Sequence, residues 1–280
     1  MDTLQALLLG IVQGLAEYLP ISSSGHLEIA QGLLGLDLSG ADALQFDIML
    51  HVATVLSTIV ILWREFSGMC VSFFTLKKDE NTSLVCKILV SCIPVGVVGL
   101  FFKDSIEQFY GHNLNLTVVG TCLLVTAALL AFAYYSRTRS LIKKSGADGS
   151  ASIGRPISYV DAFVIGCAQA VAVLPGLSRS GSTIATGIML GDRRDSVARF
   201  SFLMVIIPIL GQALLDLVKG LKDGGFDSSV GFMPMFAGFM ASFIVGCIAC
   251  KWMLEIVRRG RLVWFAVYCA IVGVVCLIFQ

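Results

Sequence analysis

Glu17, His26 and Arg179 each interrupt a long apolar stretch of this 280-residue chain, and each stands beside a run of hydroxyl and glycine residues. Glu17 follows Gln13 by four positions, so the two share one face of a helix. His26 comes just after Leu19-Pro20-Ile21-Ser22-Ser23-Ser24-Gly25, and Arg179 lies inside Leu174-Pro175-Gly176-Leu177-Ser178-Arg179-Ser180-Gly181-Ser182-Thr183. Arginine presents a planar fork of donors that matches phosphate oxygens, and serine hydroxyls and loop amides extend the donor set. Glycines let backbone approach a ligand closely, and helix N-termini after each break favour anions. Many donors with few carboxylates point to an anionic ligand, most simply a phosphate or diphosphate. Glu17 could orient His26, hold a divalent cation or accept a proton, and either His26 or a serine could attack phosphorus. Gly176 to Thr183 has the glycine spacing of a P-loop, but Ser182 occupies the lysine position, which excludes that motif.

The elements that carry these residues belong in a bilayer. Apolar residues make up 56% of the chain and charged residues 14%, with a mean hydropathy of +0.86. That is too few polar side chains to coat a soluble globule, and too much apolar surface for a disordered chain. A net charge of +1 speaks against a nucleic-acid partner. The nine cysteines sit almost entirely in apolar runs, and the Cys247–Cys250 pair has no second pair or histidine nearby, so neither disulfides nor zinc are expected. Met1-Asp2-Thr3 lacks a basic leader, so no signal peptide is expected.

Six runs are long enough to span the hydrocarbon core, near 46–63, 84–102, 116–135, 198–218, 232–250 and 262–279. The stretches 3–35 and 159–191 are each broken halfway by proline, serine and glycine. Backbone broken at membrane depth survives only where protein or a wet cavity satisfies its amides, which suggests two re-entrant helical hairpins. With that topology, fourteen Lys and Arg fall on one side (64–83, 136–158, 192–197, 251–261) and three on the other (36–45, 103–115, 219–231). The positive-inside rule then places both termini outside. Gln13 and Gln169, Ser22 and Ser178, and Gly25 and Gly181 are all 156 residues apart. Three spans follow each broken stretch, so the second copy starts from the opposite side. The expected fold is all-α and polytopic, with six transmembrane helices, two re-entrant hairpins and an inverted-topology repeat. Residues 1–135 form the first repeat, 136–158 a basic cytoplasmic linker and 159–280 the second repeat. Hairpins entering from opposite leaflets would meet near the midplane, bringing Glu17, Ser22, Ser23, Ser24 and His26 beside Ser178, Arg179, Ser180, Ser182 and Thr183.

Other polar residues compete weakly. Asp47 and His51 share a face near the start of the first span and Arg199 opens the fourth; they either line the same cavity or anchor helix ends. Glu28 points elsewhere than His26, and Lys87 snorkels to the interface. Trp63, Tyr134, Tyr135 and Trp264 fall at span ends, where aromatic belts form.

At these residues the sequence resembles the undecaprenyl-diphosphate phosphatase family of the bacitracin-resistance type. The (Glu/Gln)-x-x-x-Glu motif is Gln13-Gly14-Leu15-Ala16-Glu17, and the Pro-Gly-x-Ser-Arg-Ser-x-x-Thr motif runs from Pro175 to Thr183. The resemblance spans essentially the whole chain. It implies hydrolysis of the lipid carrier's diphosphate to the monophosphate at the outer (periplasmic) face of the bacterial cytoplasmic membrane, recycling the carrier for peptidoglycan synthesis and conferring bacitracin resistance. It further implies a polyprenyl diphosphate substrate, a divalent cation (Mg2+ or Ca2+) with Glu17 as its ligand, and compatibility with a homodimer. By motif position, Glu17, Ser23, His26 and Arg179 would be catalytic, with Ser23 or His26 as nucleophile. Gln13, Ser22, Ser24, Ser178, Ser180 and Thr183 would bind substrate. Gln rather than Glu at position 13 weakens a two-carboxylate metal site.

Architecture alone favours a different class, a secondary transporter or lipid-carrier flippase, because inverted repeats with broken helices usually serve alternating access. A transporter needs anion donors but no nucleophile with an acid–base partner, so the group at Glu17, Ser23 and His26 opposite Arg179 favours the phosphatase. A purely structural membrane protein leaves the paired polar breaks unexplained.

Overall fold

The computed structural model of the chain describes residues 1–36, 41–75, 77, 79–102, 116–144, 154–222 and 230–279, with backbone alone for 41–44, 137–144 and 219–222. Among these residues are twelve helices: α1 (Thr3–Ala16), α2 (Ser23–Leu33), α3 (Ala41–Ile61), α4 (Trp63–Phe74), α5 (Glu80–Phe101), α6 (Leu116–Lys144), α7 (Tyr159–Val171), α8 (Arg179–Leu190), α9 (Arg194–Met204), α10 (Ile206–Lys222), α11 (Phe232–Arg259) and α12 (Val263–Ile278). The one β-type pairing among the described residues is an isolated bridge between Arg155 and Asp192. The fold is all-α.

Four segments are long and apolar enough to cross a membrane: Glu80–Phe101, Leu116–Ser136, Arg194–Val218 and Phe232–Arg259. Gln45–Ile61 joins them if it is counted with Trp63–Phe74, from which it is bent by 88°. The apolar surface faces outward. In α5 the most apolar window is only 11% buried, and Leu89, Ile93, Val97 and Leu100 are exposed, which water would not tolerate but lipid does. The chain is a multi-pass membrane protein. The expected spans fall in α3, α5, α6, α9–α10, α11 and α12, although α12 has only 16 residues. The broken stretches are the pairs α1/α2 and α7/α8. The segment expected as loop 64–83 instead begins with a helix, α4, which turns nearly perpendicular to α3 at Leu62. The linker expected at 136–158 starts as helix, since α6 runs to Lys144. Its far end is tied down, with Arg155 bonded to Asp161 (2.6 Å) and its amide donating to the Gly191 carbonyl (3.1 Å). Residues 145–153, the loop 103–115 and parts of 36–45 and 219–231 lie outside the described residues.

The helices start in parallel places along the chain. Asp2 and Ser158, 156 apart, cap α1 and α7 with capping boxes, and Ser22 and Ser178 cap α2 and α8. The packing is reciprocal: α1 lies against α11 and α7 against α5, while α6 pairs with α12. Small residues make those contacts possible. A Cβ on Gly10 would lie 3.0 Å from the carbonyl carbon of Gly238, and one on Gly166 would lie 2.8 Å from the Ser91 Cα. Backbone contact of this kind gains dispersion between helices where lipid offers no hydrophobic drive. It brings both breaks to the centre of the bundle.

Candidate active site

The first break is shaped by an anchor and a strained cap. Helix α1 ends at Ala16, and Tyr18, 2% exposed, donates its hydroxyl to the Thr54 carbonyl (2.5 Å) and lies 2.8 Å from Thr58 Oγ1 on α3. Its ring meets Phe202 edge-on at 5.2 Å. The chain then turns at Leu19–Ile21, and Ser22 adopts φ 72°, the left-handed region that L side chains avoid. Such a conformation costs about 1–3 kcal/mol and persists where surroundings impose it. Here the Ser22 Oγ accepts the Gly25 amide (3.3 Å), and its carbonyl accepts His26 Nδ1–H (2.9 Å). The reversal turns Ser23 back toward α1, where its hydroxyl donates to Glu17 Oε2 at 3.0 Å.

The second break repeats the device. Gly176 has φ 83°, and a Cβ there would lie 2.9 Å from the Val119 Cα, so only glycine fits. Ser178 caps α8 through the Gly181 amide (3.0 Å), which places Arg179 at the helix's first position. The two breaks clasp each other: Ser24 Oγ accepts the Gly176 amide (3.4 Å), and Ser180 Oγ donates to the Leu19 carbonyl (3.1 Å).

At the meeting point Arg179 Nη2 donates to Glu17 Oε1, while Gln13 Nε2 donates to Glu17 Oε2 at 2.9 Å. His51, from α3, sets Nε2 3.7 Å from the same Oε2. Its Nδ1 faces the Asp47 carbonyl (2.7 Å) and must therefore carry a proton there. The Glu17 side chain is 5% exposed and that of Arg179 26%, so the ion pair sits at the edge of the protein interior. The pair with Glu17 engages one of Arg179's five N–H donors. Ser23, Ser24, His51, Gln169 and Arg179 share the wall of a cavity of about 560 Å³. Apart from Gln212 its remaining lining is apolar, from α5 (Cys92 to Leu100), α10 (Ile207 to Leu215) and the second break (Ala172, Val173 and Leu177). This is one carboxylate with a hydroxyl on it, ringed by cationic and amide donors, at the head of an apolar slot. Such a set can deprotonate a serine beside a bound anion.

A resident dication does not fit this donor set. Both Glu17 oxygens are engaged by amide, hydroxyl and guanidinium donors. Among the described residues no group of three His, Cys, Asp or Glu side chains is placed to hold a metal ion.

Gln13, Glu17, Ser23, Ser24 and Arg179 are thus brought together as the spacing suggested, and Ser22 and Ser178 act as the caps that aim them. His26 stands apart: Nε2 accepts from the Tyr268 hydroxyl (2.8 Å), and the two rings stack at 5.6 Å. Thr183 spends its hydroxyl on the bundle, against the Arg179 carbonyl (2.9 Å) and Ser201 Oγ (2.5 Å). Arg199 pairs with Glu65 of α4 (2.7 Å), and Lys87 lies over the Tyr159 ring at 5.5 Å. Glu28 faces a separate cavity beside Leu116 and Phe279. The histidine at the carboxylate is His51, which its i, i+4 pairing with Asp47 marked as a candidate without tying it to Glu17.

Comparison with known proteins places this geometry in context. The family model for the bacitracin resistance protein BacA matches residues 6–275. A Parabacteroides distasonis protein named undecaprenyl-diphosphatase is 52% identical over 275 residues, covering 98% of this chain and 97% of the relative. A Bacteroides thetaiotaomicron protein of the same name is 50% identical over 280 residues, covering 100% of both. An Oceanobacillus iheyensis protein of that name is 36% identical over 277 residues, covering 97% and 94%.

Proposed function

The chain belongs to the bacitracin resistance protein BacA family, and on that premise we propose how its central cluster works as an undecaprenyl-diphosphatase. The enzyme hydrolyses undecaprenyl diphosphate to undecaprenyl phosphate and inorganic phosphate. The observation that carries the mechanism is the Ser23 hydroxyl donating to Glu17 Oε2 in the cavity that Arg179 also lines.

In this reading Arg179 binds the terminal phosphate through donors that Glu17 leaves free, and Ser23 attacks the terminal phosphorus. Glu17 takes the serine proton as the new P–O bond forms. The bridging P–O bond breaks, and undecaprenyl phosphate leaves with the bond's electron pair. Water then cleaves the phosphoserine, releasing inorganic phosphate and restoring Ser23. A protonated His51 would steady the ionised Glu17 carboxylate through Nε2. A divalent cation would neutralise charge on the diphosphate, and Glu17, already engaged by its donors, would not hold it before substrate binds. The prenyl chain leaves the head site along the apolar wall of α5 and α10 into lipid. Gly96, Gly99 and Gly211 line that route, with no atom within 4 Å of where a Cβ would stand.

The sidedness follows from the same wall. The cavity lining lies in the second half of α5, toward 103–115, and in the second half of the α9–α10 span, toward 219–231, both loops poor in Lys and Arg. By the positive-inside rule that side is the outer one, so the site opens to the periplasmic face of the cytoplasmic membrane. The inverted arrangement of repeats 1–135 and 159–280 is supported by the reciprocal packing of α1 on α11 and α7 on α5.

The test is phosphate release from undecaprenyl diphosphate by purified protein in detergent. It is followed by sealed vesicles of known protein orientation, with substrate supplied from one side only. Release restricted to the face next to 103–115 supports the reading. Transport of the lipid without phosphate release would support the flippase in its place.

A further inference from the structure

Gln169 occupies the place in α7 that Gln13 occupies in α1, 156 residues earlier, but its circumstances differ. Gln13 finds Glu17 one turn later and donates to it. One turn after Gln169 stands Val173, which has no carboxylate to accept. Gln169 is 1% exposed, and neither its Nε2 nor its Oε1 has a hydrogen-bond partner. It lines the same cavity as Ser23, Ser24 and Arg179. A buried amide with neither end satisfied is costly, and proteins retain such groups mainly where something else completes them.

We propose that Gln169 is a substrate-binding residue whose side-chain amide donates to an oxygen of the diphosphate beside Arg179. The inference rests on the phosphatase reading and deepens it. The first half of the chain supplies the carboxylate and the hydroxyl; the second supplies donors at matching positions, with Arg179 standing 156 residues after Ser23 and Gln169 after Gln13. With Val173 where the first repeat has Glu17, the Gln169 amide is left as a free donor for an anion. The chemistry recognised is that of a phosphate oxygen, common to the diphosphate substrate and the inorganic phosphate product.

The test measures kcat, KM and inhibition by inorganic phosphate for wild-type enzyme, Gln169→Leu, Gln169→Met and Gln169→Glu, alongside thermal unfolding in detergent. A hydrogen bond to a charged group predicts a roughly ten- to hundredfold fall in kcat/KM for the Leu and Met variants. Inhibition by phosphate should weaken in parallel, while thermal stability stays equal to wild type or rises. Gln169→Glu should fall further, since it sets a negative charge against the diphosphate. A structural role would lower stability without changing phosphate inhibition, and that result overturns the proposal, as does wild-type kcat/KM in Gln169→Leu or Gln169→Met. If Gln169→Leu does not fold, Gln169→Met, which is unbranched and flexible, decides by the same readouts. An inactive wild-type enzyme would count against the phosphatase reading, a result distinct from any of these.

Discussion

His51 Nε2 stands 3.7 Å from Glu17 Oε2, while His26, only nine residues from Glu17 in sequence, turns away to Tyr268. The bundle therefore sets a histidine from α3, not the motif histidine, beside the Glu17 carboxylate. His51 keeps its Nδ1 proton on the Asp47 carbonyl, so Nε2 can attract Glu17 only when the ring is protonated and the two form an ion pair.

His51→Ala is expected to lower kcat about tenfold, the worth of one polar contact to a charged group, while His51→Gln, which keeps a donor at that place, retains most activity. Steady-state kinetics on undecaprenyl diphosphate check this. Equal rates for wild type and His51→Ala would remove His51 from the site.

His26 Nδ1 donates to the Ser22 carbonyl, and in the proposed mechanism that bond would hold the left-handed backbone that aims Ser23. His26→Ala is expected to reduce kcat severely with little change in KM. Tyr268→Phe, which removes only the hydroxyl at Nε2, should cost less than His26→Ala. If His26 were instead the nucleophile, His26→Ala would abolish phosphorylated-enzyme formation and Ser23→Ala would spare it.

In the proposed reading the open positions at Gly96, Gly99 and Gly211 line the prenyl route. A Cβ at Gly99 would have no neighbour within 4 Å, so the fold should tolerate Gly99→Leu and gain slightly from the loss of a helical glycine. The KM for undecaprenyl diphosphate should rise several-fold, and that for farnesyl diphosphate should stay at its wild-type value. An equal change for both substrates would place the chain elsewhere.

Because the Glu17 cluster lacks a resident dication's ligands, EDTA is expected to leave thermal unfolding of the substrate-free protein unchanged. Added Mg2+ should raise phosphate release only by way of the metal–diphosphate complex. A rise of several degrees in Tm on adding Mg2+ alone would show a protein-borne site.

Much of this arrangement was legible in the chain. The broken apolar stretches marked the two tips, and the offset of 156 matched Ser22 with Ser178 before any coordinates. Glu17, Ser23 and Arg179 stood out because ionisable and hydroxyl groups are expensive in lipid. What could not be read was which groups touch across helices. His51 reaches Glu17 only because α3 packs beside α1, and Tyr268 reaches His26 across more than 240 residues. The α4 helix lies almost wholly within 64–83, which reads as a loop because the helix's twelve residues are too short to cross the bilayer. Gln169 was visible as half of a matched pair; its meaning depended on knowing that its amide is buried beside Arg179 with no partner.

The central claim is that Ser23, deprotonated by Glu17, attacks the phosphate that Arg179 binds. Its most direct test is phosphate release from undecaprenyl diphosphate by wild type and Ser23→Ala, both shown to be folded in the same detergent. The same runs are acid-quenched and searched for phosphoserine at position 23. The account predicts that Ser23→Ala loses release by several orders of magnitude and that phosphoserine forms only in the wild type. Wild-type rates from folded Ser23→Ala would contradict it.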